Sequence, residues 1–325
     1  MKAMIIKEIG STEVFQLVEK AKPIAKAGHM VVEVKATSVN PIDTMLRSIE
    51  LPWSNNLPEI LHGDVAGIVS EIGEGVTDFS IGDEVYGMAG GINGVDGALA
   101  EFMLVDERLM ANKPKTLTMK HAAALPLVAI TSYEALIDKM NVQQGDNVLI
   151  HGATGGVGHI AVQLAKELGA NVTSTYSPAN ETLAKALGAD NLVDYKTKSV
   201  SDYVKAHTGG VGFDKIFDTV AGDNIEKSFE AVKFNGHVAT ILPIADPLQV
   251  ALKSLSFHSV LVLIPLCHDI NHASHGRILT EIATLVDAGK ITPIIDESDF
   301  SIWEVAKAHD RFASGRAVGK ITLTV

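Results

Sequence analysis

Through the first third of the chain, apolar and polar residues alternate with the short period of half-buried strands. Val31-Val32-Glu33-Val34-Lys35, Ala66-Gly67-Ile68-Val69 and Asp83-Glu84-Val85-Tyr86 carry that pattern between glycines. It predicts a β-rich region with tight turns up to Pro114. From His121 onward, strand-length runs at Asn147–His151, Asn171–Thr175, Lys215–Asp218, His237–Leu242 and Val260–Ile264 alternate with helical segments. Such alternation predicts a parallel, doubly wound sheet. Ile160, Ala161, Leu164, Ala165 and Leu168 form one helical stripe able to pack on that sheet, and Arg277–Ala288 is similarly amphipathic. The tail from Ile291 returns to strands around a helix, Ile302–Phe312, and its last residues are expected to rejoin the first region.

A chain of 325 residues exceeds what one hydrophobic core usually supports, so two domains are expected. With 46% hydrophobic and 20% charged residues, it has the composition of a compact enzyme. Its net charge of -12 argues against a nucleic-acid or anionic-membrane partner and leaves small-molecule chemistry. Cys267 is the only cysteine, which excludes an intrachain disulfide and a multi-cysteine zinc site and suggests a cytoplasmic setting. The longest apolar runs, such as Val260–Leu266, are too short to cross a bilayer as helices, and the N-terminus reads as a strand rather than a signal peptide.

The most informative segment follows the strand at Asn147–His151. There Gly152-Ala153-Thr154-Gly155-Gly156-Val157-Gly158 leads into a helix. Small residues in a strand–turn–helix setting let backbone N–H groups approach a pyrophosphate at a helix N-terminus, so Thr154, Gly155, Gly156, Val157 and Gly158 are expected to bind a dinucleotide. The bland alternative is a tight turn with close helix packing. A site selective for NAD usually has an acid at the end of its second strand. Here that stretch reads Thr173-Ser174-Thr175-Tyr176-Ser177-Pro178-Ala179-Asn180, without one. Ser174, Tyr176, Ser177 and Asn180 therefore point to NADP(H), against the alternative of a merely polar loop.

Taken together, Val39-Asn40-Pro41-Ile42-Asp43-Thr44, Gly63-Asp64 with Gly67 and Gly73, Phe79–Gly87, the Ala153–Gly158 loop and Leu187-Gly188-Ala189-Asp190 resemble the medium-chain dehydrogenase/reductase superfamily. The likeness is to its zinc-free quinone and enone reductase branch and spans essentially the whole chain. It implies a Rossmann-type doubly wound α/β domain at 117–289 inserted into a GroES-like β-rich catalytic domain formed by 1–116 and 290–325. In the zinc alcohol dehydrogenases of that superfamily a Cys, a His and a further ligand hold the catalytic metal; the matching positions here are Asn40, Gly63 and Leu127, with His62 one residue out of register. The resemblance then implies NADPH-dependent reduction of a quinone or an α,β-unsaturated carbonyl without zinc, by a homodimer. Rival readings are a zinc-independent alcohol dehydrogenase, an enoyl-thioester reductase and a catalytically silent NADPH-binding sensor.

Within that scheme Asn40 is the candidate hydrogen-bond donor to the developing oxyanion, with Asp43 orienting it or a water. Alternatively the pair forms a loop-capping turn with Asp43 as a helix N-cap. Thr131 is a nicotinamide or ribose contact or else a helix-interior hydroxyl, and Trp53 walls the substrate cleft or covers the core. By position in the family, Tyr195 is expected near the adenosine phosphate and Lys320 near the pyrophosphate. Asp218, Thr219, Val220, Leu242 and Pro243 should line the nicotinamide side, and Leu263 and Ile264 should offer backbone groups to its carboxamide. Cys267, His268, His272 and His275 superficially resemble a metal cluster, but their context reads as a solvated loop capping a helix. The glycine-rich stretch 90–97 is expected to be a flexible connection, or a plain hairpin turn.

Overall fold

The computed structural model describes residues 1–242 and 247–325. Packing divides the chain into two compact units: 1–127, 263–289 and 293–325 in the first, and 128–262 with 290–292 in the second.

A mostly antiparallel seven-stranded sheet organises the first unit, with His29–Ser38 beside Asp64–Ile72 at its centre. Met30, Val31, Val32, Val34 and Ala36 are all buried, so the central strand is covered on both faces rather than alternating cleanly. Thr322–Thr324 pairs antiparallel with the same strand, Thr322 lying opposite Ser38. The C-terminal strand thus joins the sheet of the N-terminal region, as the tail pattern predicts.

In the second unit six parallel strands run in the order Asn191–Asp194, Asn171–Tyr176, Asn147–His151, Phe213–Asp218, Val232–Thr240, Ser256–Ser259. Val148, Leu149 and Ile150 in the central strand are wholly buried, as a sheet covered by helices on both sides requires. The helix Gly158–Glu167 buries Ile160, Ala161, Leu164 and Ala165, following the stripe in its sequence. Leu149, Ile216 and Val238 pack with Tyr203, Phe213 and Phe229 in a separate core cluster. His151 stands in register with Asp218, and Asp218 with Thr240. The loops leaving these strands therefore gather at one edge, where open parallel sheets bind ligands.

Three local expectations change. The last strand is Ser256–Ser259, whereas Ile264–His268 is a helix with Pro265 in its first turn. Proline lacks the N–H a ladder needs and is pre-set for a helix start; burial of Val260, Val262 and Leu263 rather than strand pairing explains that apolar run. The following helix begins at Ala273, ahead of the expected Arg277, and ends at Asp287. It packs in the first unit, where the Tyr86 hydroxyl donates to Leu279 O at 2.6 Å. Residues 263–289 thus group with the antiparallel unit, although the alternating texture of the sequence runs on through them.

Candidate active site

At the strand edge of the second unit, Gly152 takes φ +81° and directs the chain from His151 into the glycine turn. A Cβ on Gly158 would lie 1.9 Å from Gly152 O, so only glycine lets the helix start this close to the loop. A Cβ on Gly155 meets Gly152 O at an ordinary 3.4 Å, and Gly155 is exposed. Val157, the N-cap, makes no side-chain cap hydrogen bond. An open glycine backbone before an uncapped helix N-terminus is a fitting cradle for a diphosphate. Gly152 N–H and Ala153 N–H donate to Thr175 Oγ1 and Thr175 O, each at 2.9 Å, tying the turn to the second strand.

Asn180 Nδ2 donates to Thr154 Oγ1 at 3.1 Å, which brings the expected 2′-phosphate stretch onto the glycine loop. Tyr176 and Ser177 are half-buried beside it, and Tyr195 is exposed with its N–H on Tyr176 O. Ser174 lies deeper: it is fully buried, and its hydroxyl donates to Ile150 O at 2.7 Å within the sheet. Thr219 Oγ1 donates to His151 O at 2.6 Å, while Val220 and Leu242 expose apolar side chains after their strands. Pro243 lies outside the described residues. Thr131 is buried on the helix Pro126–Tyr133. Asp218, expected with Thr219 and Val220 on the nicotinamide side, ties down the loop that follows its strand. Its carboxylate accepts from the N–H groups of Val220 and Ala221, from Asn224 Nδ2 and from the Ser228 hydroxyl, at 2.8–3.1 Å.

In the first unit a recess is lined by Asn40, Asp43 and Gly63 among the aliphatic side chains of Ile42, Leu46, Met88, Ile92, Leu127 and Leu263. The three positions matched to zinc ligands, Asn40, Gly63 and Leu127, all face it. They bring one amide, a backbone and an aliphatic chain. Trp53, half-buried beside the turn Ser54–Asn56, is not among the lining residues. Asn40, not Asp43, is the N-cap of the helix Pro41–Ser48; Asp43 sits one turn in and accepts the Asn40 N–H at 2.7 Å. Helix capping and membership of the recess therefore coexist in the same pair.

Behind the recess lies a buried ionic cluster. Asn40 Nδ2 donates to Asp64 Oδ2 at 2.8 Å, and Lys320 Nζ donates to Asn40 Oδ1 and, at 2.8 Å, to Val39 O. Asp64 also accepts from the Ser38 hydroxyl at 2.6 Å and the Leu127 N–H at 2.9 Å, and Lys320 Nζ stands 3.8 Å away. Lys320 thus sits on Asn40 in the first unit. Burial pushes Asp43 up to about 7, helped by the Asp64 charge and opposed by the Asn40 and Gly63 N–H groups and by Lys320. Burial likewise lowers the Lys320 pKa, against the pull of both carboxylates.

Beneath that cluster His62 Nε2 lies 2.9 Å from His309 Nε2, the rings stacked and both buried. Arg47 Nε donates to His309 Nδ1 at 3.2 Å, which requires His309 to carry its proton on Nε2 and donate to His62. His62 then bears its proton on Nδ1, 3.4 Å from Thr37 Oγ1, whose hydroxyl donates to Asp64 O at 2.6 Å. Sequence reading missed this chain because its members lie 247 residues apart. Asp64 was visible only as part of a glycine turn.

In the expected solvated, helix-capping loop, residues 268–271 are exposed and His272 is the N-cap of the helix Ala273–Asp287, whereas Cys267, His272 and His275 are buried. The His272 ring lies with Nδ1 2.9 Å from the acceptor Asp106 Oδ2 and Nε2 3.0 Å from the acceptor Pro265 O, His275 is wholly buried, and burial pushes the Cys267 thiol up to about 11. Among the described residues no three His, Cys, Asp or Glu side chains gather as a metal site. The 90–97 stretch is a tight turn, with Gly91 N–H on Val95 O at 2.8 Å.

Residues 26–115 match the alcohol dehydrogenase GroES-like domain, and residues 187–323 match the zinc-binding dehydrogenase family. The chain is 32% identical over 332 residues to 2-methylene-furan-3-one reductase of Solanum lycopersicum, covering 99% of this chain and 79% of that protein. An alcohol dehydrogenase superfamily protein from Novosphingobium aromaticivorans superimposes with TM-score 0.94 at 36% identity, over 100% of this chain and 99% of the other. For the quinone oxidoreductase from Coxiella burnetii the values are 0.85 and 30%, over 100% and 99%. With its glycine cradle on a parallel sheet and its recess in an antiparallel unit built from both chain ends, this chain belongs to the medium-chain dehydrogenase/reductase superfamily, among the enone and quinone oxidoreductases.

Proposed function

We propose that this chain reduces small quinones or α,β-unsaturated carbonyls without a catalytic metal, binding the acceptor in the Asn40–Asp43 recess. The chain is an oxidoreductase, and its cofactor is NADP(H). When bound, NADPH supplies a hydride. The glycine loop 154–158 would hold the diphosphate, and Tyr176, Ser177 and Asn180, with no acid among them, would receive the 2′-phosphate.

The recess carries this reading. Its walls are aliphatic, and its polar groups converge at Asn40 and Asp43, as a site for a compact uncharged acceptor requires. Polarising an alcohol or unactivated carbonyl with a bound metal would take thiolate or imidazole ligands, and Asn40, Gly63 and Leu127 offer none. A conjugated acceptor spreads the charge left by hydride addition over its own π-system, so a hydrogen bond from the Asn40 amide suffices to steady the oxyanion. The recess lies in the GroES-like domain and the cradle in the Rossmann domain. We extend the proposal to a cytoplasmic homodimer.

The test is NADPH oxidation across benzoquinones, enals and enones with NADH in parallel, on protein whose zinc content is measured. Turnover of a conjugated acceptor by zinc-free protein is expected; activity that tracks stoichiometric zinc would overturn the reading.

A further inference from the structure

Among the residues lining the recess, Asp43 carries the one carboxyl group. Asp43 lines the recess while only 2% of its surface is exposed, and it shares its surroundings with Asp64 and Lys320. The charged groups that face it are Asp64, from the start of the strand Asp64–Ile72, and Lys320, from the loop before the C-terminal strand; the Asn40 and Gly63 N–H groups reach it from its own helix cap and the turn before Asp64. Two buried carboxylates meet one ammonium. Asp64 is the better ion, because it takes hydrogen bonds from Ser38, Asn40 and Leu127 and stands nearest Lys320. That leaves Asp43 as the carboxyl whose charge is not matched, and a buried carboxyl in that position keeps its proton.

We propose that Asp43 rests as the neutral acid and is the proton donor of the reaction, with Lys320 and Asp64 as the ion pair that holds Asn40 in place beside it. The step rests on the quinone and enone reading above. Hydride addition to the β-carbon of an enone, or to a quinone, moves a π pair onto the acceptor oxygen. The Asp43 O–H bond then breaks, a new O–H bond forms on that oxygen, and the product leaves as an enol, which becomes the saturated ketone, or as a hydroquinone. The acceptor is reduced by two electrons, the nicotinamide is oxidised by two, and the Asp43 carboxylate regains its proton from water. Because burial and the Asp64 charge raise the Asp43 pKa to about 7, the acid form is present near neutrality and can still release its proton.

Three measurements decide it. In wild-type protein, kcat at saturating NADPH should fall as pH rises through about 7, and turnover should be slower in deuterium oxide. In Asp43→Asn, which keeps a polar side chain at the helix cap but has no proton to give, kcat should drop by about a hundredfold with KM little changed, and the fall above neutrality should vanish. Melting temperature and NADPH binding of the variant establish that it is folded. The third readout needs no turnover: the cofactor-free wild-type protein should show an infrared carboxylic-acid C=O band at pH 6 that disappears by pH 8.5. Asp43→Asn that keeps kcat within twofold and the wild-type pH profile would overturn the proposal, as would absence of the titrating band should the variant fail to fold. A wild-type protein that oxidises NADPH with no quinone, enal or enone would sink the reaction reading itself, and the proton-transfer step with it.

Discussion

Asp64 is wholly buried yet takes three hydrogen bonds through its carboxylate, and among the described residues its ion-pair partner is the buried Lys320. Such a pair is held by its completeness: removing one partner strands the other charge in a low-dielectric interior. Lys320→Met should therefore destabilise the protein by about 3 kcal/mol or more, seen as a lower urea midpoint, even though methionine fills much the same volume. A change below about 0.5 kcal/mol would show that the ion pair contributes little. The same reasoning separates Lys320 from its expected role at a pyrophosphate. Its ammonium already donates to Asn40 Oδ1 and Val39 O, and loss of those bonds frees the Asn40 amide to rotate.

At the scale of elements, the glycine loop separates two uses of small residues. Gly158 is glycine because its neighbour Gly152 O leaves no space for a Cβ, whereas Gly155 has room and faces solvent. Gly158→Ala should lower both the melting temperature and NADPH affinity, the latter at least tenfold, because the helix start must move. Gly155→Ala should fold like the wild type and show its effect mainly in a fluorescence titration with NADPH. If Gly158→Ala behaves as wild type in both, the close approach is not what the turn requires. The strand, the turn and the helix after it were legible from residue periods and from small residues in sequence. By contrast, the apolar run at 260–264 misled, because burial gives a loop the same composition as a strand and only Pro265 marks the difference.

For the molecule as a whole, several buried imidazoles make acid the weak side of its stability. Burial holds His309 down at about 3, and His151 and His275 at about 4; burial also lowers His62, next to His309. A group whose folded pKa is depressed contributes its full stability above its unfolded pKa, near 6.5, and loses it as pH falls toward the folded value. Each such histidine should withdraw about 2 kcal/mol between pH 7 and pH 5. Asp43 acts in the opposite sense, since its raised pKa favours the folded state below neutrality and that contribution fades as pH rises through about 7. The histidines outnumber it, so the urea midpoint should fall steeply from pH 7 to pH 5; an unchanged midpoint would contradict their neutral burial.

By itself the sequence determined the two kinds of sheet, the dinucleotide loop, the missing acid after the second strand and the absence of thiolate and imidazole at the three ligand-equivalent positions. The first three are properties of neighbouring residues, in which period, glycine spacing and residue type carry the physics directly, and the ligand-equivalent positions follow from the family resemblance. Tertiary structure alone decided that Asn40, Asp43, Asp64 and Lys320 form one buried cluster, that His62 meets His309, and that Ser174 turns its hydroxyl into the sheet. Those outcomes depend on which side chains share a low-dielectric space once distant segments pair. Lys320 reaches Asn40 across 280 residues of chain only because the C-terminal segment lies beside the central strand of the first unit.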